Sequence, residues 1–178
     1  MRVIGLAGWS GAGKTTVVTA LIGELRRRGH AVSTVKHAHH KFDIDKPGKD
    51  SYEHRAAGAE EVLVGSSQRW ALIRELRGAR EPSMPELLRR LSPVDFVLVE
   101  GFKWDAFPKI EVHRAANDKA PLYPQTPGIR AIASDVYFSD TDLPQVALHD
   151  IAAIADLVEA HAVPVEGLTG AAGGAVAD

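Results

Sequence analysis

Eight residues near the start of the chain, Gly8-Trp9-Ser10-Gly11-Ala12-Gly13-Lys14-Thr15, constrain its fold more than any other feature. They match G-x-x-x-x-G-K-[ST] and stand between an apolar run at residues 3–7 and a stretch of helical period. Glycines let successive backbone N–H groups turn inward around phosphate oxygens, and the helix start adds positive potential. In this pattern Gly11, Ala12, Gly13, Lys14 and Thr15 grip the phosphates, with Lys14 on the outer ones and the Thr15 hydroxyl on Mg²⁺. Such a loop is expected at the carboxyl edge of a parallel sheet.

The rest of the chain fits that frame. Val17, Val18, Leu21, Ile22 and Leu25 recur at helical spacing, and Gly29 supplies a stop. A second strand is expected at 31–36, a short helix at 52–59, and a hairpin from strands at 61–64 and 69–73. Ser83, with Pro85 in the first turn and Glu86 three residues on, reads as a capping box opening a helix to Leu91. Further strands are expected at 96–99, 109–113 and 129–133, and a terminal helix at 150–161. This alternation predicts an α/β, P-loop NTPase-like three-layer fold with a mostly parallel sheet and helices on both faces. We expect a single nucleotide-binding domain over 1–162 and a flexible Gly/Ala-rich tail over 163–178, which lacks bulky groups to offset its ordering entropy.

Composition narrows the partners. A net charge of −2 argues against nucleic acid, which needs a surplus of Lys and Arg. The absence of cysteine leaves oxygen and imidazole as metal ligands. No apolar stretch approaches the ~20 residues needed to span a bilayer, and residue 1 leads straight into the first strand without a leader pattern, so no membrane role and a cytoplasmic location are expected.

A P-loop cation calls for a carboxylate from a neighbouring strand end. Residues 95–101, Asp-Phe-Val-Leu-Val-Glu-Gly, offer two. Asp95 would sit about five residues, roughly 16 Å, from the carboxyl edge, so Glu100 is the candidate for catalysis and metal binding. The polar segment 36–51 follows the second strand to the same edge. Within it Asp43, Asp45 and Asp50 suit Mg²⁺ or an attacking water, and Lys36, Lys46 and Lys49 suit an anionic substrate. His37, His39 and His40 are an alternative transition-metal set.

The segments GWSGAGKTT, KHAHHKFDIDKPGKDSY, AGAEEV, SSQRWALIREL and LVEGFK together resemble the molybdopterin-guanine dinucleotide biosynthesis accessory protein B family, MobB, over nearly residues 1–133. The resemblance implies a GTP-binding protein with weak GTPase activity. It further implies a homodimer that partners the guanylyltransferase joining GMP to molybdopterin. Carried over by residue, the family's phosphate site falls on Gly11, Gly13, Lys14, Thr15 and Thr16, and its acidic strand end on Glu100 and Gly101. Lys36, His37, His39, His40, Lys46, Lys49 and Asp50 would face molybdopterin or the partner enzyme. The N-K-x-D guanine signature is absent, and Asn117-Asp118-Lys119 does not replace it. Asp135, just after a strand, is the candidate to accept from guanine N1 and N2.

Lys14, backbone amides and Mg²⁺ are expected to neutralise the β,γ-phosphates while Asp45 or Glu100 positions water, and turnover is expected to be slow because no arginine finger is evident in cis. Two other readings use the same loop. One is a small-molecule kinase with a lid from the four arginines of residues 69–80; the other is a metallochaperone GTPase using the His loop.

Overall fold

The computed structural model describes residues 1–38 and 42–168. They gather into two compact units, one of Met1–His37 and the chain from Ser83, the other of Ala38–Pro82, where the sequence pointed to one. In chain order the first unit begins β1 (Arg2–Ala7), α1 (Lys14–Arg27) and β2 (Val32–Lys36). The second unit holds α2 (Asp50–Ala56), β3 (Glu61–Gly65) and β4 (Trp70–Arg74). The first resumes with α3 (Met84–Leu88), β5 (Phe96–Glu100), β6 (Lys109–His113), β7 (Ile129–Ser134), β8 (Gln145–Ala147), α4 (Ile151–His161) and β9 (Val163–Pro164).

The main sheet has the order β2-β5-β1-β6-β7-β8, all parallel, with β9 antiparallel against β1. Alternation along the strands sorts its two faces. Ile4, Leu6, Phe96, Leu98, Ile110 and Val112 meet α1 and α4 through Leu21, Leu25, Ile154 and Val158. Val3, Val97 and Val99 meet Met84 and Leu88 of α3 on the other face. Each such aliphatic side chain removed from water contributes about 1.5–3 kcal/mol, and together they make the three-layer α/β fold.

Local signals account for the helix ends. α1 stops where Gly29, at φ 93°, accepts a left-handed turn, and the His30 N–H reaches the Leu25 carbonyl at 3.0 Å. α3 opens with the capping box of Ser83 and Glu86 but ends at Leu88, three residues short of expectation. α4 is capped by Asp150, whose carboxylate accepts from the Ala153 N–H at 3.0 Å.

One expectation needs correcting. The stretch from Val163 does not begin as a tail, because Val163 and Pro164 pair with Val3 and Arg2. β6 runs beside β1 only from Gly5 onward, so the first half of that edge is open to a second partner. Leu168 packs on the Met84 cluster, and the remainder of the expected tail, 169–178, lies outside the described residues.

In the second unit α2 starts at Asp50, two residues before the expected helix, and the hairpin forms with Leu63 opposite Leu72 and Gly65 opposite Trp70. Arg55 of α2 organises the unit's charge. Its Nη2 donates to Asp43 at 2.7 Å, its Nη1 to Glu75 at 2.8 Å, and its Nε lies 3.3 Å from Asp45 Oδ2. The Arg55 hydrogen bond is the main reason the Asp43 carboxyl is held below its usual range.

β6 departs from the ordinary strand. One face is apolar, but the other carries Lys109 and Glu111, each fully buried, and His113. Loops lie against that face, and their backbone groups satisfy the charges. Lys109 Nζ donates to the carbonyls of Asp105, Phe107 and Pro127, while burial brings its pKa down to about 8 against the opposing charge of Asp105. Glu111 accepts from the Leu122 and Tyr123 N–H groups at 2.7 and 2.8 Å, and burial raises its pKa. Two loops without regular backbone ladders are thereby fixed over the sheet.

Lys109→Met would keep the apolar stem and leave three carbonyls without their donor. The expected cost is roughly 2–4 kcal/mol, a melting temperature lower by about 5–10 °C for a chain of this size. Calorimetry of the variant checks this, and an unchanged melting temperature would show that the loops are held by something else.

Candidate functional site

The loop after β1 emerges between the ends of β5 and β6, since Leu6 is in register with Glu100 on one side and Ile110 on the other. It is shaped by close approach. A Cβ at Gly8 would stand 2.4 Å from the Val112 carbonyl oxygen, and Gly13, at φ 92°, occupies the left-handed region that favours glycine. Residues with side chains at these two places would push the loop off β6 or strain it.

Ser10, Gly11, Gly13, Lys14, Thr15, Lys36 and Glu100 line an open cleft of about 380 Å³. Lys14 Nζ donates to the carbonyls of Gly8 and Trp9 at 2.8 and 2.9 Å. Burial lowers its pKa, the Glu100 carboxylate works against that shift, and Lys103 and Lys36 add to it. Thr15 Oγ1 lies 3.4 Å from Glu100 Oε1 and can donate to it, and Lys36 Nζ lies 3.7 Å from the same oxygen. A hydroxyl and a carboxylate meeting at the mouth of a glycine cradle are hard oxygen donors that suit Mg²⁺ with phosphates. Thr16, next on α1, is exposed.

Glu100 therefore stands where the strand-end argument put it. Asp95 lies at the opposite edge, its carboxylate accepting from the Ala31 N–H at 2.7 Å. His37 continues from β2 against the end of β5, with its N–H on the Glu100 carbonyl at 2.8 Å and its ring 4.8 Å from that of Phe102.

Asp45 belongs to the second unit, and its carboxylate is committed there. Oδ1 accepts from the Lys46 N–H and the Ser51 hydroxyl, both at 2.9 Å, and Oδ2 faces Arg55. Those bonds supply the charge balance that a metal would otherwise provide. Lys46, Lys49 and Asp50 are exposed in the same unit, whereas His39 and His40 lie outside the described residues. Among the described residues no three of His, Cys, Asp and Glu converge as a metal-binding group. Of the four arginines that might have formed a kinase lid, Arg74 lies 3.3 Å from Glu61 and Arg77 donates to the Arg55 and Ala59 carbonyls.

Asp135 follows β7, and its Oδ1 accepts from the Ala115 N–H at 2.8 Å. It thus anchors a short 3₁₀ turn, Ala115–Asn117, that leaves β6. From this turn Asn117 Nδ2 donates to the Ser10 carbonyl at 2.8 Å. Asn117, set aside in the sequence for lack of the N-K-x-D signature, is in contact with the phosphate loop. So is Arg114, whose Nη2 lies 3.4 Å from where a Gly13 Cβ would be; an arginine does reach the loop in cis.

Trp9 is a further contributor that the motif leaves unspecified. Its Nε1 donates to the Ala120 carbonyl at 2.8 Å, in the loop that Glu111 fixes. Lys103 Nζ stands 4.0 Å from the Trp9 ring and 5.2 Å from that of Trp104, and burial lowers its pKa. The Trp9 contact adds a third ammonium to the neighbourhood of Lys14 and Lys36.

The family model for molybdopterin guanine dinucleotide synthesis protein B, MobB, matches residues 3–135. The molybdopterin-guanine dinucleotide biosynthesis adapter protein of Escherichia coli (strain K12) is 40% identical over 159 residues, 88% of this chain and 90% of that protein. Its Haemophilus influenzae counterpart is 37% identical over 159 residues, 88% and 87% of the two chains. Among solved structures, Bacillus subtilis MobB superimposes with a TM-score of 0.72 at 24% identity, covering 91% of this chain and 98% of that one. At that identity the likeness is one of fold. The phosphate loop and the Glu100 strand end both fall within the matched span, and the chain belongs to the MobB family.

Proposed function

We propose that the cleft at the end of β1 binds GTP with Mg²⁺ and that the chain serves as an adapter in the biosynthesis of molybdopterin guanine dinucleotide. The observation that carries this reading is the convergence of Lys14, Thr15 and Glu100 on one glycine-walled cleft. Membership of a family whose relatives are named as adapter proteins supplies the biological role. Its partner would be the guanylyltransferase that joins GMP to molybdopterin, and its working form a cytoplasmic homodimer. No helix among the described residues is long and apolar enough to cross a membrane.

In this reading backbone N–H groups of residues 11–16 and the start of α1 receive the phosphates. Lys14 keeps a third N–H beyond its two bonds to Gly8 and Trp9, and that donor is the one available to a phosphate oxygen. Thr15 and Glu100 would hold Mg²⁺, which when bound supplies charge neutralisation between the outer phosphates. Glu100 also positions water near the terminal phosphate, giving slow hydrolysis to GDP and phosphate. Lys36, beside Glu100, and His37 extend the site toward a second anionic ligand, for which molybdopterin is the candidate. Asp45 takes a structural role with Arg55 and Ser51.

Calorimetric titration with non-hydrolysable GTP and ATP analogues and Mg²⁺ should show preference for the GTP analogue. Lys14→Ala should weaken it by at least ten-fold, the lower end of what a charge-assisted phosphate contact contributes. Preference for ATP would move the weight to the kinase reading, and an unaffected Lys14→Ala variant would remove the phosphate site itself.

We assign guanine recognition to Asp135, whose exposed carboxylate has an oxygen beyond the one bonded to Ala115. Guanine presents N1–H and N2–H donors to such an acceptor, whereas xanthine presents an oxygen at position 2. Asp135→Asn should therefore lower affinity for GTP and raise the ratio of XTP to GTP binding. Equal loss for both nucleotides would reduce Asp135 to its turn-anchoring bond.

A further inference from the structure

Resting on the nucleotide-site reading above, we propose that Arg114 binds the α- and β-phosphates of the nucleotide, as a guanidinium supplied in cis from the β6 side of the phosphate loop. Its position follows from the strand order. β5 and β2 lie on one side of β1 and bring Glu100 and Lys36 to the cleft; with Thr15 they mark the end where the cation and outer phosphates belong. β6 lies on the other side, and Arg114 is the first residue beyond it. A phosphate chain whose outer end faces Glu100 must run toward β6 and β7 to reach its nucleoside, and Arg114 stands on that route.

The guanidinium is close to the loop itself. Nη2 and Nε lie 3.4 and 3.9 Å from where a Gly13 Cβ would be, so glycine at 13 leaves that face of the loop to the arginine. Among the described residues the exposed guanidinium makes no hydrogen bond or ion pair, and a guanidinium presents five N–H donors suited to two phosphate oxygens at once. Its backbone, by contrast, is fixed. The Asn117 N–H closes the turn on the Arg114 carbonyl at 3.0 Å, the Ala115 N–H is held by Asp135, and Asn117 is tied to the Ser10 carbonyl. A side chain with free donors on a backbone pinned at both ends is preorganised to bind an anion without ordering the chain.

The position also predicts which phosphates respond. A residue on the Glu100 side would distinguish GTP from GDP through the terminal phosphate; a residue on the β6 side meets phosphates common to both. Arg114→Gln, measured by fluorescence titration with labelled GTP and GDP and Mg²⁺, should weaken both by a similar factor, roughly ten- to a hundred-fold. Arg114→Lys should recover part of each loss, because it restores charge without the planar fork. The melting temperature without nucleotide should stay unchanged, since among the described residues the guanidinium holds no other part of the fold, while its rise on adding GDP should shrink. Affinities for both nucleotides equal to wild type would overturn the inference, as would a loss confined to GTP, which would move the side chain to the terminal phosphate. Wild-type protein that binds neither nucleotide would overturn the nucleotide reading, and this inference with it.

Discussion

Parallel strands deliver their carboxyl ends to one edge of a sheet, and β1 has a parallel neighbour on each side. That arrangement decides what the phosphate loop meets. β5 ends in register with Leu6 and presents Glu100; β6 runs alongside through Glu111 and releases Arg114 and Asn117 over the other flank. The loop's geometry is set by the same neighbours, because the Val112 carbonyl stands where a side chain at Gly8 would have to go. Moving β1 to an edge would remove half of the site at once. The antiparallel β9 fits this economy, occupying only the part of β1 that precedes its contact with β6.

β6 shows how a buried charge can serve structure through backbone partners. Lys109 is bonded to three backbone carbonyls and Glu111 to two backbone N–H groups, all from loops. Irregular backbone over a sheet face leaves polar groups that apolar residues could not satisfy. Charged side chains on the strand satisfy them and fix the loops in return. One of those loops carries Ala120, which receives Trp9 Nε1; the other leads from Lys103 to Asp105. The placement of Trp9 and Lys103 at the phosphate loop thus depends on residues one strand away from it.

The sequence made legible what depends on local pattern. The G-x-x-x-x-G-K-T spacing, the helical period behind it, the capping box and the strand-end position of Glu100 are all readable within a few residues. What depends on strand order was not. Nothing local says that β6 is the other neighbour of β1, so Arg114 and Asn117 could not be matched to the loop they touch. The alternation of charged and apolar residues in 109–113 resembles a half-exposed strand, although both faces are covered. Asp45 is a case where the local pattern omits a partner. Closely spaced aspartates after a strand look like a ligand loop, and only Arg55, ten residues later on α2, shows where their charge is balanced.

Lys14 connects the shape of the loop to its chemistry. Two of its three donors hold the Gly8 and Trp9 carbonyls, so the ammonium acts as a strut across the loop as well as a counter-charge for phosphate. Burial and the nearby ammonium groups of Lys103 and Lys36 oppose its charged form, and the Glu100 carboxylate favours it. An incoming phosphate adds negative charge on the same side as Glu100, so it strengthens the protonated lysine and with it the strut. Binding and loop order are then favoured by the same electrostatic change. A carboxylate at 100 has two roles under this account: it supplies an oxygen for a cation, and it favours the charged form of a partly buried lysine among other cations.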